Sequence, residues 1–277
     1  MLSFDQQYIN IAKEILEEGT EVVGRNNLCY KQMFGQTIKV DLRESFPALT
    51  LRKLPVNNLF REFMWDVNGN YKVSALGPAK HFWDFLADAE GRLPGSYGRS
   101  WRSWPTVSAE SGMEWERFRQ GPFDQLRWIW EQLQTNPTNR QLVLQTFNPA
   151  YEGLHCPPCH PNITFSSDSV YLDLLVNARS NDMATGVPLD MFRYALLATK
   201  MAIDSGLTAR FVMFASANNH IYKQNEEAIR EIITREPMGR CSVLIDEYKP
   251  LFSLDARTDF RLLQYNPHSP VRMQVAN

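Results

Sequence analysis

The chain has 277 residues and a formal net charge of −2, with 29 Lys and Arg against 31 Asp and Glu. That balance, without a basic block, argues against a general nucleic-acid binder but leaves room for a small anion held by a few placed arginines. Four cysteines (Cys29, Cys156, Cys159, Cys241) are too few for a disulfide scaffold and no apolar run is long enough to span a membrane, so a soluble protein with reduced thiols is expected.

Taken in chain order, Ser3 followed by FDQQYINIAKEILEEG reads as an N-capped amphipathic helix that stops at Gly19. Gly24–Gln36 is rich in turn residues and is expected to be a loop holding Arg25. Thr37–Leu42 alternates as a strand does. Pro55–Trp65 sets Leu59, Phe60, Phe63 and Met64 on a helical apolar face with Glu62 among them. Gly91–Pro105 is aromatic and turn-rich, the composition of a functional loop. Phe123–Gln134 reads as a helix ended by Asn136-Pro137, Gln141–Phe147 and Val170–Asn177 as strands, and Met191–Ser205 as a strongly apolar helix. Leu207–Ala217 is an expected strand, Asn225–Thr234 a helix and Cys241–Ile245 a strand. The tail from Tyr265 lacks periodicity and is expected either to be disordered or to fold over a site. Without a repeat or flexible linker, the pattern indicates a mixed α/β (α+β) single domain spanning residues 1–277.

The chemistry concentrates between His155 and Asp190, in HCPPCHPNITFSSDSVYLDLLVNARSNDMATGVPLD. Cys156-Pro-Pro-Cys159-His160 is open to four readings besides catalysis. It has the spacing of c-type haem attachment, although no export signal opens the chain. It could contribute to a zinc knuckle, but Cys241 and His220 are isolated and no second ligand pair is evident. A redox Cys-x-x-Cys would normally open a helix, and none is expected here. The fourth reading is two buried structural cysteines. A nucleophile reading draws on more of the neighbourhood. Arg179 and Ser180 follow a strand running back from the cysteine turn. A guanidinium beside a thiol favours the reactive thiolate, and Arg179 with Ser180 could grip a phosphate. A thiolate next to a phosphate clamp suggests covalent catalysis on a nucleotide.

Pro158-Cys159-His160, Arg179-Ser180-x-Asp182, Gly186-x-Pro188 and the helix DMFRYALLATKMA together resemble the thymidylate synthase family, and the likeness runs from end to end. Arg25 before FGQ, Glu62 in LFREFMW, Trp83-Asp84, Tyr97-Gly98, Asn136-Pro137-x-x-Arg140, His220-Ile-Tyr222 and Tyr265-x-Pro267-His268 extend it. The resemblance implies a three-layer fold on a twisted mixed sheet, forming a homodimer in which Arg140 reaches the partner's site. It implies Cys159 as the nucleophile for pyrimidine C6 and Glu62 as the proton-handling group. Tyr97 and His160 would order water, and Cys156 would only pack. Arg25, Arg140, Arg179, Ser180, Asn181, Asp190, His220 and Tyr222 would then hold the nucleotide. Trp83, Leu86, Asp182, Gly186, Leu189 and Asn277 would face 5,10-methylenetetrahydrofolate. No metal, membrane or nucleic-acid partner is implied.

Departures from the family pattern bear on the substrate. Asp190 stands where the synthases carry the asparagine whose amide reads uracil, and the phage deoxycytidylate hydroxymethylases carry aspartate there and share RSND. Cytosine inverts both edges, and a protonated aspartate, or a carboxylate facing a protonated N3, complements it. A plain helix N-cap is the bland alternative for Asp190. Leu86 replaces a second folate-side tryptophan and polar Asn277 an apolar terminus, both favouring water as the final reactant; His160 and the closing tail favour methylation. Gln141 replaces the second arginine of the interface pair. The expectation is a dCMP 5-hydroxymethylase, with a dCMP methyltransferase or an unusual thymidylate synthase as alternatives. The chain would be cytoplasmic, in the host cytoplasm if phage-encoded, or would belong to a nucleoside-antibiotic pathway.

Overall fold

The computed structural model describes residues 1–24, 27–105, 121–149 and 157–275. The elements in order are α1 (Phe4–Glu18), β1 (Thr20–Val23), β2 (Cys29–Met33), β3 (Gln36–Asp41), α2 (Val56–Val67), α3 (Tyr97–Arg102), α4 (Gln125–Thr135), β4 (Val143–Gln145), β5 (Asn162–Ser167) and β6 (Tyr171–Ala178). There follow β7 (Asn181–Asp182), α5 (Gly186–Asp204), β8 (Thr208–Ser216), β9 (Asn219–Tyr222), α6 (Glu226–Ile232), β10 (Ser242–Ile245) and β11 (Phe260–Leu263). Short 3₁₀ turns over Val73–Phe82 and Asp84–Leu86 lie between α2 and α3.

A five-stranded mixed sheet in the order β3-β8-β6-β5-β4 forms the centre. Its one parallel pair, β6 with β8, needs a crossover, and α5 supplies it. That helix is buried almost all round, which explains why its sequence is apolar with little helical periodicity. Alternate residues of β6 are buried, so each face of the strand has a different neighbour. Placing α5 directly after β6 and β7 brings the chain after Ala178 to the carboxyl end of the parallel pair, where open sheets of this kind commonly hold ligands.

The helix α1 begins as its sequence requires, with Ser3 Oγ accepting from Gln6 N–H and Gly19 at its end. Gln7 pairs with both backbone groups of Lys39, docking α1 on β3. Tyr8 Oη donates to the Met183 carbonyl at 2.6 Å, tying the same helix to the segment before α5.

Three expectations need correction. The Gly24–Gln36 loop contains β2, which pairs with β1 and β9 in a second sheet, β1-β2-β9-β7. Every residue of β2 is half-buried, so no apolar alternation marks it. The Gly91–Pro105 loop contains α3. The helix expected from Met191 starts five residues earlier, because Pro188 falls in its first turn, where a proline is tolerated. Asp190 is therefore inside α5 and not its N-cap. The tail is extended and tied down: Tyr265 Oη accepts from Leu54 N–H, His268 N–H donates to Thr50, and Gln274 pairs with Asn225 through both backbone groups. No helix among the described residues is long and apolar enough to cross a membrane.

Candidate active site

Cys159 occupies the turn feeding β5, half-buried and with its sulfur a thiol. Its backbone N–H donates to Tyr97 Oη at 3.0 Å, and Arg179 Nη2 lies 3.8 Å from Sγ. Arg179 also stitches the turn together. Its backbone N–H donates to the Cys159 carbonyl, Nε to the Pro158 carbonyl at 2.9 Å, and Nη2 to the Pro157 carbonyl. The guanidinium thus positions the thiol as well as standing beside it, more than the phosphate-clamp expectation assigned. Ser180 beside it is half-exposed.

His160 is buried against Tyr97, Tyr194 and Phe214. Its Nδ1 pairs with Tyr194 Oη at 3.0 Å, and Nε2 lies 3.6 Å from Asp190 Oδ2 without reaching hydrogen-bond distance. Burial pushes the imidazole down to about 4, so the ring is neutral at pH 7 despite Asp190 nearby. Burial likewise raises the Tyr97 hydroxyl well above its ordinary range, keeping it a neutral partner for the cysteine turn.

Glu62 and Asp66 lie one turn apart on α2, and both face α5. Arg193 Nη1 is 2.8 Å from Glu62 Oε1 and 2.8 Å from Asp66 Oδ2, while Nη2 is 2.6 Å from Asp190 Oδ1. Burial raises Glu62, with Arg193 opposing and Asp190 reinforcing the shift. Burial pushes Asp66 up to about 7, again against the pull of Arg193. For Arg193 burial disfavours the charge, but the three carboxylates outweigh it and hold the guanidinium protonated. Trp83 Nε1 is buried without a well-formed hydrogen bond, yet lies near enough to Glu62 to favour its charged form. Arg193 and Asp66 were not among the sequence candidates. The signals were there: two carboxylates at i,i+4 on an apolar helix, and one arginine in the apolar run of α5.

Gly98 makes this arrangement possible. A Cβ there would lie 2.6 Å from Asp66 Cα and closer still to the Asp66 carbonyl oxygen, so α3 packs against bare α2 backbone. Gly98→Ala is expected to lower stability by about 1–3 kcal/mol through overpacking. It should also reduce turnover, because Tyr97 moves with the helix. Thermal denaturation alongside an activity assay checks both, and an unchanged melting temperature would contradict the close packing.

Across the second sheet, β7 and β9 pair in parallel with Asn181 opposite Asn219 and Asp182 opposite His220. Asp182 Oδ1 accepts from Ala184 N–H and Oδ2 from the Thr185 hydroxyl, so this carboxylate braces the turn into α5. Among the described residues, neither amide atom of buried Asn181 has a hydrogen-bond partner. His220 lies between Tyr30 and Tyr222, with Nδ1 on Asn218 Oδ1, and burial lowers its pKa. Gly186 opens α5 within 3.5 Å (measured from a Cβ built on it) of Asn181 Oδ1 and Asp190 Oδ2. Leu189 packs on the main core and Leu86 on a smaller cluster with Trp65, Val73 and Leu76, while Trp83 packs against both.

Arg140 is not part of this assembly. It is exposed in a hollow lined by Asn136, Thr138, Asn139 and Gln141. The register of β4 on β5 pairs Val143 with Thr164 and Gln145 with Asn162, which puts Arg140 near the Ser167 end of β5. Cys159 precedes the other end, roughly 17 Å away at about 3.3 Å per residue. Arg25, Cys156 and Asn277 lie outside the described residues. Among the described residues, no three His, Cys, Asp or Glu side chains converge as a metal site.

A thiol held beside a guanidinium, with a tyrosine, a neutral histidine and buried carboxylates around it, has the parts for covalent catalysis with controlled proton transfer. The family model described as thymidylate synthase matches residues 6–277, and the chain belongs to that family. It is accordingly a one-carbon transferase, and the family's reaction is folate-dependent transfer to C5 of a pyrimidine nucleotide. Methylenetetrahydrofolate is the family's cosubstrate.

Proposed function

We propose that the protein is a deoxycytidylate 5-hydroxymethylase, converting dCMP, 5,10-methylenetetrahydrofolate and water to 5-hydroxymethyl-dCMP and tetrahydrofolate. The observation that carries the base assignment is Asp190. It lies inside α5, with Oδ1 taken by Arg193 and Oδ2 toward His160. With Oδ1 receiving a guanidinium hydrogen bond, the group faces the base as an acceptor, which matches a cytosine protonated at N3, whose N3–H and 4-amino group both donate, and opposes the 4-carbonyl of uracil.

In this reading Cys159 Sγ adds to C6, and the cytosine ring then carries the excess electron density at C5. Arg179 favours the attacking thiolate. Glu62, raised by burial and close to Trp83, exchanges protons with the ring during addition and elimination. The folate supplies a carbon at the oxidation level of formaldehyde. C5 bonds to that carbon and loses its proton, and the carbon–nitrogen bond to the folate breaks to release tetrahydrofolate and leave an exocyclic methylene. Water adds its oxygen to that methylene as its proton passes to the ring, and Cys159 departs as a thiolate as the C5–C6 double bond re-forms. The partly apolar wall of Trp83, Trp65 and Leu86 fits a flat ring system. Arg179, Ser180 and Arg25, with Arg140 of a second copy, would hold the phosphate, and His220 and Tyr222 the sugar. The exposure of Arg140 and its distance along β5 from Cys159 support donation to a partner in a homodimer. Gln141, beside it, offers no second cation.

Leu86 in place of a second aromatic leaves more room for water, which favours hydroxymethylation. A dCMP methyltransferase is the second reading, favoured by the tied-down tail and by His160. Incubation with dCMP and methylenetetrahydrofolate is expected to give 5-hydroxymethyl-dCMP with no rise in dihydrofolate absorbance. Formation of 5-methyl-dCMP with stoichiometric dihydrofolate would establish the methyltransferase instead.

A further inference from the structure

The Arg193 cluster places one buried cation against three carboxylates. The Arg193 side chain is 7 % exposed, and those of Glu62, Asp66 and Asp190 are 10 %, 3 % and 16 % exposed. Buried ion clusters seldom increase stability over apolar packing, because desolvation offsets the Coulomb attraction. This one is also incompletely satisfied: Arg193 Nε has no partner among the described residues. Its geometry, by contrast, is specific. Nη1 is anchored on α2 by Glu62 and Asp66, which fixes where Nη2 meets Asp190 one turn earlier on α5.

We propose that Arg193 is a specificity-determining positioning residue, which selects pyrimidines bearing an amino group at C4 by occupying Asp190 Oδ1. This rests on the dCMP reading above and deepens it. A carboxyl group released from the guanidinium could carry a proton and present one donor and one acceptor, a pair that can turn to match uracil as well as cytosine, so the discrimination between them is lost. With Arg193 in place, only an acceptor is offered. Asp66 does not touch the base; with Glu62 it holds Nη1, leaving Nη2 to Asp190.

Tritium release from C5-labelled dCMP and dUMP gives kcat/KM for each nucleotide in the intact protein, Arg193→Gln and Arg193→Lys. The dCMP-to-dUMP ratio is expected to fall about tenfold or more in R193Q, the scale of one mispaired buried polar contact. R193K, which keeps a cation for Asp190, should retain most of the ratio while losing overall rate. A merely structural role would lower both substrates equally and leave the ratio unchanged in R193Q, and that result overturns the proposal. Should R193Q fail to fold, R193K and Asp66→Asn still decide. D66N leaves Glu62 on Nη1 and Asp190 on Nη2, so its ratio should stay close to that of the intact protein; a loss of the ratio in both variants overturns the proposal. An intact protein without preference for dCMP would instead remove the substrate reading on which this depends.

Discussion

Cys159→Ser is expected to lower turnover by about a thousandfold or more, the scale seen when a covalent nucleophile is removed. A serine hydroxyl ionises far less readily than a thiol, and Arg179 at 3.8 Å cannot close that gap. The fold should be unaffected, because the bond from the residue 159 N–H to Tyr97 Oη comes from the backbone and survives. Nucleotide binding should persist for the same reason. The measurement that isolates the step is tritium release from C5 of labelled dCMP, since C5–H is not labilised until C6 carries the adduct. Release within tenfold of the intact protein would remove Cys159 as nucleophile. Cys156→Ser provides the comparison, expected to keep its turnover because that residue is read as packing.

Much of this site was legible because it depends on neighbours in the sequence. Cys159, His160, Arg179, Ser180, Asp182 and Asp190 fall on one turn, one strand end and one helix start, so a linear reading could group them. The capped start of α1 was equally readable, since Ser3 and Gly19 act locally. Arg193 was not, although Asp190 is only three residues before it. Its other partners, Glu62 and Asp66, lie on α2, and only the packing of α2 on α5 brings them together. A charged residue in an apolar helix reads as an isolated exception until its counter-ions are placed. The strands β2 and β9 were missed for a related reason. The residues of β2 are all half-buried and three of the four in β9 are buried, so neither strand carries alternation, and the two that pair with each other are remote in sequence.

The second large effect is expected at Asp190. Asp190→Asn should shift the dCMP-to-dUMP ratio of kcat/KM toward dUMP by roughly a hundredfold to ten-thousandfold, because a site built to pair one set of buried polar atoms rejects the inverted set. The asparagine can keep its carbonyl oxygen on Arg193 Nη2 and turn its amide nitrogen toward the base. That nitrogen donates to the uracil 4-carbonyl and clashes in polarity with the cytosine 4-amino group. The charge balance should tolerate the change. Removing one anion leaves Arg193 with Glu62 and Asp66, a smaller excess of negative charge than three carboxylates on one guanidinium. It also eases the pressure that raises both remaining groups, since Asp190 contributes to each shift. The variant should therefore fold at least as well as the parent, and a changed substrate ratio cannot be ascribed to unfolding. Competition between the two nucleotides in one assay reads the ratio directly. An unaltered preference for dCMP in D190N would mean that the base is selected elsewhere, and Asp190 would then be an anchor for Arg193 alone.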